Sequence, residues 1–199
     1  MNETRVWLIR HAASTAPAGI APGVGDPGLS ELGVTQARGL ASRLSTAPLR
    51  AVWSSDSLRA MQTAEHIAAP HRLPVLSARA LREIDFGAWA GRDLSELWLD
   101  DPAAARAWEL DLRRTPGSFG ESVDDLQRRV RAFWSAAFAL AVAGDVAFVA
   151  HRGSLAALRS IITGSSFADC FALAMEVGAC DALEVSARSL RGGGTRAAL

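Results

Sequence analysis

The sequence predicts an α/β protein, a three-layer sandwich with a mostly parallel central sheet and helices on both faces. Three observations predict it. Short apolar runs, Val6-Trp7-Leu8-Ile9 and Val146-Ala147-Phe148-Val149-Ala150, have the pattern of strands buried on both faces. Stretches of helical periodicity separate such runs, so strand and helix alternate along the chain. The 199 residues, 49% of them hydrophobic, form a single domain (1–199) by the usual roughly 150 residues per domain, and no linker interrupts them.

Taken in order, the strand Val6–Ile9 leads into a loop rich in Ala, Pro and Gly from about residue 16 to 28. Ser30 has the side chain and the position of an N-cap for a helix over Glu31–Leu44. Leu49–Trp53 reads as a second strand, Ser57–Ala69 as a helix and Pro74–Leu76 as a short strand. Residues 93–113 are helical in pattern and carry Leu94, Leu97, Trp98, Trp108 and Leu112. Another helix, about 121–142, follows the turn Gly117-Ser118-Phe119-Gly120. Asp145–Ala150 is the clearest buried strand, and the helix Ser154–Ile162 after it is ended by Gly164. Phe171–Glu176 and Ala182–Ser186 are expected to be strands pairing around Gly178, and Gly192-Gly193-Gly194 a mobile tail.

Composition removes many functions. With 21 basic and 21 acidic residues the net charge is zero, which argues against nucleic acid or an anionic membrane as partner. Every basic residue is arginine. The chain has no P-loop lysine, no lysine for a Schiff base and no tyrosine. Cys170 and Cys180 are too few for a disulfide framework and suit buried thiols in a reducing cytosol. The N-terminus lacks a signal-peptide pattern and no apolar run is long enough to span a bilayer, so a cytoplasmic location is expected. Gly23-Val24-Gly25-Asp26-Pro27-Gly28 spells the dinucleotide fingerprint, but it lies a dozen residues past its strand in a Pro-rich loop. Asp85-Phe86-Gly87 spells a kinase motif in a chain without lysine. The four histidines lack metal-ligand spacing, so no metal is expected.

The chemistry gathers where strands end. Arg10-His11 follows the first strand, His151-Arg152-Gly153 follows Asp145–Ala150, and Arg59 opens the helix after Leu49–Trp53. In open α/β sheets, ligands bind at the carboxyl ends of strands near helix N-termini. Guanidinium forks match phosphate oxygens, and imidazole can act as a covalent nucleophile. Buried polar caps at each strand end are the alternative for either histidine taken singly.

Five ordered blocks then resemble the histidine phosphatase superfamily, with its phosphoglycerate mutase-like fold, over nearly the whole chain. They are Leu8-Ile9-Arg10-His11 with Leu29-Ser30-x-x-Gly33-x-x-Gln36-Ala37; Trp53-Ser54-Ser55-x-x-x-Arg59-Ala60-x-Gln62-Thr63-Ala64; Leu81-x-Glu83-x-x-Phe86-Gly87-x-Trp89-x-Gly91; Gly120-Glu121-Ser122 with Arg129-Val130; and Ala150-His151-x-Gly153. Ala12, Ala13, Pro17 and Arg152 depart from the commoner residues of that family. The resemblance implies that His11 is phosphorylated, that Arg10, Arg59 and a protonated His151 hold the phosphoryl group, and that Glu83 is the proton donor. It implies no cofactor. Ser54 and Arg152 are candidate substrate contacts, and residues about 93–120 a helical insertion or lid over the site, with Trp98, Trp108 and Trp134 as candidate lining.

The implied activity is hydrolysis of a small phosphomonoester. Within the phosphatase branch the layout is most similar to the α-ribazole phosphatases of cobalamin biosynthesis. The alternatives are a broad-specificity sugar-phosphate phosphatase, a phosphoglycerate mutase, or a catalytically degenerate phosphate binder. A homodimer is in keeping with similar proteins.

Overall fold

The computed structural model describes residues 4–185 apart from 24, 112, 113, 143 and 174, so the expectations for Leu112, Ser186 and Gly192–Gly194 lie outside the described residues. The strands are β1 (Thr4–Arg10), β2 (Leu49–Ser54), β3 (Val75–Ser77), β4 (Asp145–Ala150) and β5 (Cys180–Val185). They form one sheet in the order β3-β2-β4-β1-β5. The pairings of β1, β2, β3 and β4 are parallel, and β5 closes the edge antiparallel to β1. The described helices are α1 (Glu31–Leu44), α2 (Leu58–Ala68), α3 (Leu94–Asp100), α4 (Pro102–Leu110), α5 (Val123–Val142), α6 (Arg152–Thr163) and α7 (Phe167–Ala172). No described helix is long and apolar enough to cross a membrane.

Side-chain alternation builds the layers. Val6 and Leu8 of β1 join Val146 and Phe148 of β4 on one face, packed with Leu126 and Val130 of α5 and Leu158 of α6. Ile9, Ala147 and Val149 face the other way, onto Leu40 and Leu44 of α1 and Ala64 and Ile67 of α2. Covering both faces demands an apolar side chain at nearly every central position, which is why these strands read as unbroken runs. The charged residue Asp145, at the start of β4, is buried but accepts bonds from the Arg5 amide (2.9 Å) and the Trp7 indole (3.4 Å). That pairing offsets the cost of burying its carboxylate.

Two expectations for the elements change. The stretch 93–113 is two helices, because Pro102 lacks the amide to continue α3 and Asp101 caps a fresh start through the Ala104 amide at 3.0 Å. Phe171–Glu176 is not a strand. Its first residues complete α7, where Ser166 accepts from the Asp169 amide (3.1 Å) and Phe167 stacks on Phe171 one turn later, at 5.6 Å between centroids. With that partner gone, β5 pairs with β1 instead. Gly178, at φ 75°, donates its amide to the His11 carbonyl (3.0 Å).

Helix α1 is fixed as expected, with Ser30 accepting the Gly33 amide at 3.1 Å. A Cβ on Gly33 would stand 1.8 Å from the Ala13 carbonyl oxygen, so α1 packs directly on the backbone that follows His11. Replacing Gly33 by Ala forces one of two backbones to move. The Gly33→Ala variant is expected to lose about 2–3 kcal/mol of unfolding free energy, read as a lower urea midpoint; an unchanged midpoint would mean that α1 can retreat at no cost.

Candidate active site

The two histidines stand at the carboxyl ends of adjacent strands. β1 pairs with β4 up to Arg10 opposite Ala150, and the His11 amide continues the ladder to the Ala150 carbonyl at 2.9 Å. His151 follows Ala150 in extended conformation and caps α6, its own amide bonded to Ser154 Oγ at 3.2 Å. The imidazole centroids are consequently 5.0 Å apart, in chain segments separated by 140 residues.

Arg59, in the first turn of α2, bridges them. Its Nε donates to His11 Nε2 (3.2 Å) and its Nη2 lies 3.3 Å from His151 Nδ1. A guanidinium only donates and a carbonyl only accepts, so these contacts set the tautomers. His11 carries its proton on Nδ1, donated to the Ala12 carbonyl at 2.9 Å, and Nε2 keeps a lone pair. His151 carries its proton on Nε2, facing Ser55 Oγ (3.0 Å) and Ser57 Oγ (3.2 Å). Thr63 braces both sides, accepting the Ala12 amide (3.1 Å) and donating to the Arg59 carbonyl (2.7 Å). Ala12, buried and with no positive φ, accommodates the loss of the usual glycine.

Arg10 reaches the same end of the sheet. Its Nη1 donates to the Met175 carbonyl (2.6 Å), while its buried Nε has no hydrogen-bond partner among the described residues. Glu83 comes from the opposite wall, its carboxylate accepting the Gly153 amide (3.0 and 3.2 Å) and the Ile84 amide (3.0 Å). Behind it, Arg129 of α5 donates to the Glu83 carbonyl (3.0 Å) and the Ala80 carbonyl (2.7 Å), and is itself held by both oxygens of Glu121 (2.7 and 2.8 Å). Arg59, Glu83 and His151 line a cleft of about 820 Å³, several times the size of a phosphate group.

Burial, and secondarily the Arg59 and Arg10 charges, push His11 down to about 4, against the pull of its Ala12 bond. His151 is pushed well below the ordinary imidazole value, first by burial and then by His11, Arg59 and Arg10. Burial and the neighbouring guanidiniums thus favour the neutral form of both rings in the absence of an anion. Arg10 and Arg59 are lowered by burial too, but remain cationic at neutral pH. Arg59 and His151 thus line the cleft, with His11 bonded to Arg59 behind them and Arg10 at the same end of the sheet.

Residues 10, 11, 59, 83 and 151 come together as the sequence predicts. Ser54 does not join them. It is fully buried and its hydroxyl donates to the Ser55 carbonyl (2.8 Å), because strand alternation turns it inward and brings Ser55 and Ser57 to His151 instead. Arg152 turns to α7, its guanidinium 4.1 Å from the Phe171 ring centre and bonded to the Phe171 carbonyl (3.3 Å). Trp134 packs on Phe148 in the core and is no lid residue; Trp108 meets Phe86 and Trp89 edge-on. The brace formed by Glu121 and Arg129 escaped the sequence reading of roles, although both residues stood in a quoted block.

A parallel sheet with paired imidazoles and guanidiniums at its strand ends is the arrangement of an enzyme that handles phosphoryl groups. Residues 6–192 match the Histidine phosphatase superfamily (branch 1), and the chain belongs to that family. It is 29% identical over 182 residues to adenosylcobalamin/alpha-ribazole phosphatase of Salmonella typhimurium, covering 91% of this chain and 90% of that protein. The solved mycobacterial glucosyl-3-phosphoglycerate phosphatase is 30% identical with a TM-score of 0.84, over 94% of this chain and 93% of that one. The alpha-ribazole phosphatase of Shigella flexneri is 26% identical with a TM-score of 0.82, over 92% of each chain. The chain is a histidine phosphatase, acting on small phosphorylated metabolites.

The depressed imidazoles make stability depend on pH. Between His11's folded value of about 4 and the ordinary 6.5, the unfolded chain binds more protons than the folded one, so stability falls as pH drops through that window. His151 acts in the same direction. The protein is expected to lose about 1.6 kcal/mol to His11 alone between pH ~6.5 and ~5. Urea unfolding across that range checks it, with a shallower slope expected for His11→Asn; equal slopes would contradict the assignment.

Proposed function

We propose that the phosphatase works through a phosphohistidine on His11, with Arg10, Arg59 and His151 holding the phosphoryl group and Glu83 moving the proton. The observation that carries this reading is the fork of Arg59 on the lone pairs of both imidazoles, at the floor of a cleft that Glu83 also lines.

An incoming phosphomonoester dianion takes over the Arg59 donors and occupies the free Arg10 Nε. At 4 Å and an effective dielectric near 20, each pair of unit charges is worth about 4 kcal/mol, so the anion recovers much of the cost of burying the guanidiniums. Its charge also favours the protonated form of His151, which burial alone disfavours. The uncovered lone pair of His11 Nε2 attacks phosphorus in line. The N–P bond forms as the ester P–O bond breaks, and Glu83 protonates the departing alkoxide. Glu83 then takes a proton from water, whose oxygen bonds to phosphorus as the N–P bond breaks. Free phosphate leaves, and Glu83 again carries the proton with which the cycle began.

Residues about 93–120 are proposed as the insertion over the site; Phe119 and Gly120 at its end line the cleft. For the substrate we propose α-ribazole 5′-phosphate, on the strength of the similarity to the Salmonella and Shigella enzymes. A sugar phosphate is the second reading, favoured by the solved mycobacterial relative.

His11→Ala is expected to abolish turnover, and Glu83→Gln to lower kcat by about 10²–10⁴ with little change in KM. Turnover on p-nitrophenyl phosphate with EDTA present provides the assay, and activity surviving in His11→Ala would refute the nucleophile. A Cβ on Gly153 would stand 2.4 Å from Glu83 Oε1. Gly153→Ala is therefore expected to displace the acid and lower kcat more than it raises KM; wild-type kcat would show that the Gly153 contact is dispensable. A phosphate-release screen over α-ribazole 5′-phosphate, sugar phosphates, phosphoglycerates and nucleotides ranks the substrates.

A further inference from the structure

Phe119 is the one described non-glycine residue besides Arg72 with a positive φ, at 63°. Its side chain is 97% exposed, yet it lines the cleft together with Arg59, Glu83 and His151. Both features run against folding stability. A bulky residue in the left-handed region is strained, and a bare phenyl ring forgoes its burial. Such strain persists only where the surroundings impose it.

They do so on both sides of Phe119. The Ser118 carbonyl accepts the Ala88 amide (2.9 Å), and the Glu121 amide is bonded to the Asp85 carbonyl (2.8 Å). A Cβ on Gly87 would lie 2.4 Å from both the Ser118 oxygen and the Gly120 nitrogen, so the turn is clasped to the segment that follows Glu83. Glu121, two residues on, carries the bidentate pair with Arg129 that also holds the Glu83 backbone. The ring is thus displayed from a fixed support tied to the acid, over a cleft of about 820 Å³ that a phosphate alone would leave mostly empty.

We propose that Phe119 is a specificity-determining residue that stacks on a planar ring in the leaving group, so that the enzyme prefers phosphomonoesters bearing an aromatic base to the same sugar phosphate without one. This rests on the phosphatase reading above and adds the chemical class of the group beyond the ester oxygen. An aromatic face offers more to a flat ring than to a hydroxylated chain, and a backbone held in advance leaves only the ring's own rotamers to be ordered on binding.

The test compares kcat/KM for α-ribazole 5′-phosphate and adenosine 5′-monophosphate with that for ribose 5-phosphate, in wild type, Phe119→Gly and Phe119→Trp. The wild type is expected to prefer the ring-bearing substrates. Phe119→Gly should cut that preference about three- to tenfold while its melting temperature holds or rises, since glycine relieves the left-handed φ. Phe119→Trp should keep the preference. A wild type that turns over ribose 5-phosphate as well as both ring-bearing substrates would overturn this proposal alone, as would a preference unchanged in Phe119→Gly. A wild type inactive on every phosphomonoester would overturn the phosphatase reading, and this proposal with it.

Discussion

The site is organised around a cation placed between two neutral rings. Arg59 cannot accept a hydrogen bond, so the imidazole nitrogens facing it must be unprotonated. That single condition fixes the tautomer of His11, leaves a lone pair on Nε2, and turns the other nitrogen to the Ala12 carbonyl. Burial also makes the Arg10 and Arg59 charges costly. A phosphate dianion would relieve that cost, and in the proposed mechanism it draws the guanidinium from His11 Nε2.

The fold delivers this geometry through the adjacency of β1 and β4. Parallel register carries Arg10 alongside Ala150, so the residues one step later, His11 and His151, leave the sheet as neighbours. Glycines then allow the remaining parts to close in. Gly33 lets α1 lie on the backbone after His11, and Gly153 leaves room for the Glu83 carboxylate at the start of α6. The Glu121–Arg129 pair sets the height of the Glu83 segment from behind. The active site is therefore a product of backbone packing as much as of the side chains that would touch substrate.

Much of this was legible in the chain. The central strands announced themselves because a strand covered on both faces tolerates few polar residues, and Ser30 marked its helix by a cap that the structure retains. Arg10, His11 and His151 stood out because they follow those strands directly, Arg59 because it opens the next helix, and Glu83 only through the block that resembles the family. Phe171–Glu176 was misread because a short apolar run has no period of its own, and the Ser166–Asp169 cap that decides for helix lies outside it. Ser54 was misplaced by one position of strand alternation, which exchanges the core for the site. Arg152 has the charge to meet a phosphate, but only the packing of α7 shows that Phe171 takes its guanidinium. The Arg129 brace was invisible for a similar reason, since its partners at residues 80, 83 and 121 meet only in the folded chain.

The central claim is that His11 attacks through Nε2. The most direct measurement is to mix enzyme with a phosphomonoester, quench in alkali within milliseconds, and locate the phosphoryl group by ³¹P–¹⁵N correlation on histidine-labelled protein. One phosphoryl group is expected, on Nε2 of His11, disappearing as phosphate is released. Phosphate on Nδ1 of His11 or on His151, or turnover with no N–P bond formed, would contradict it.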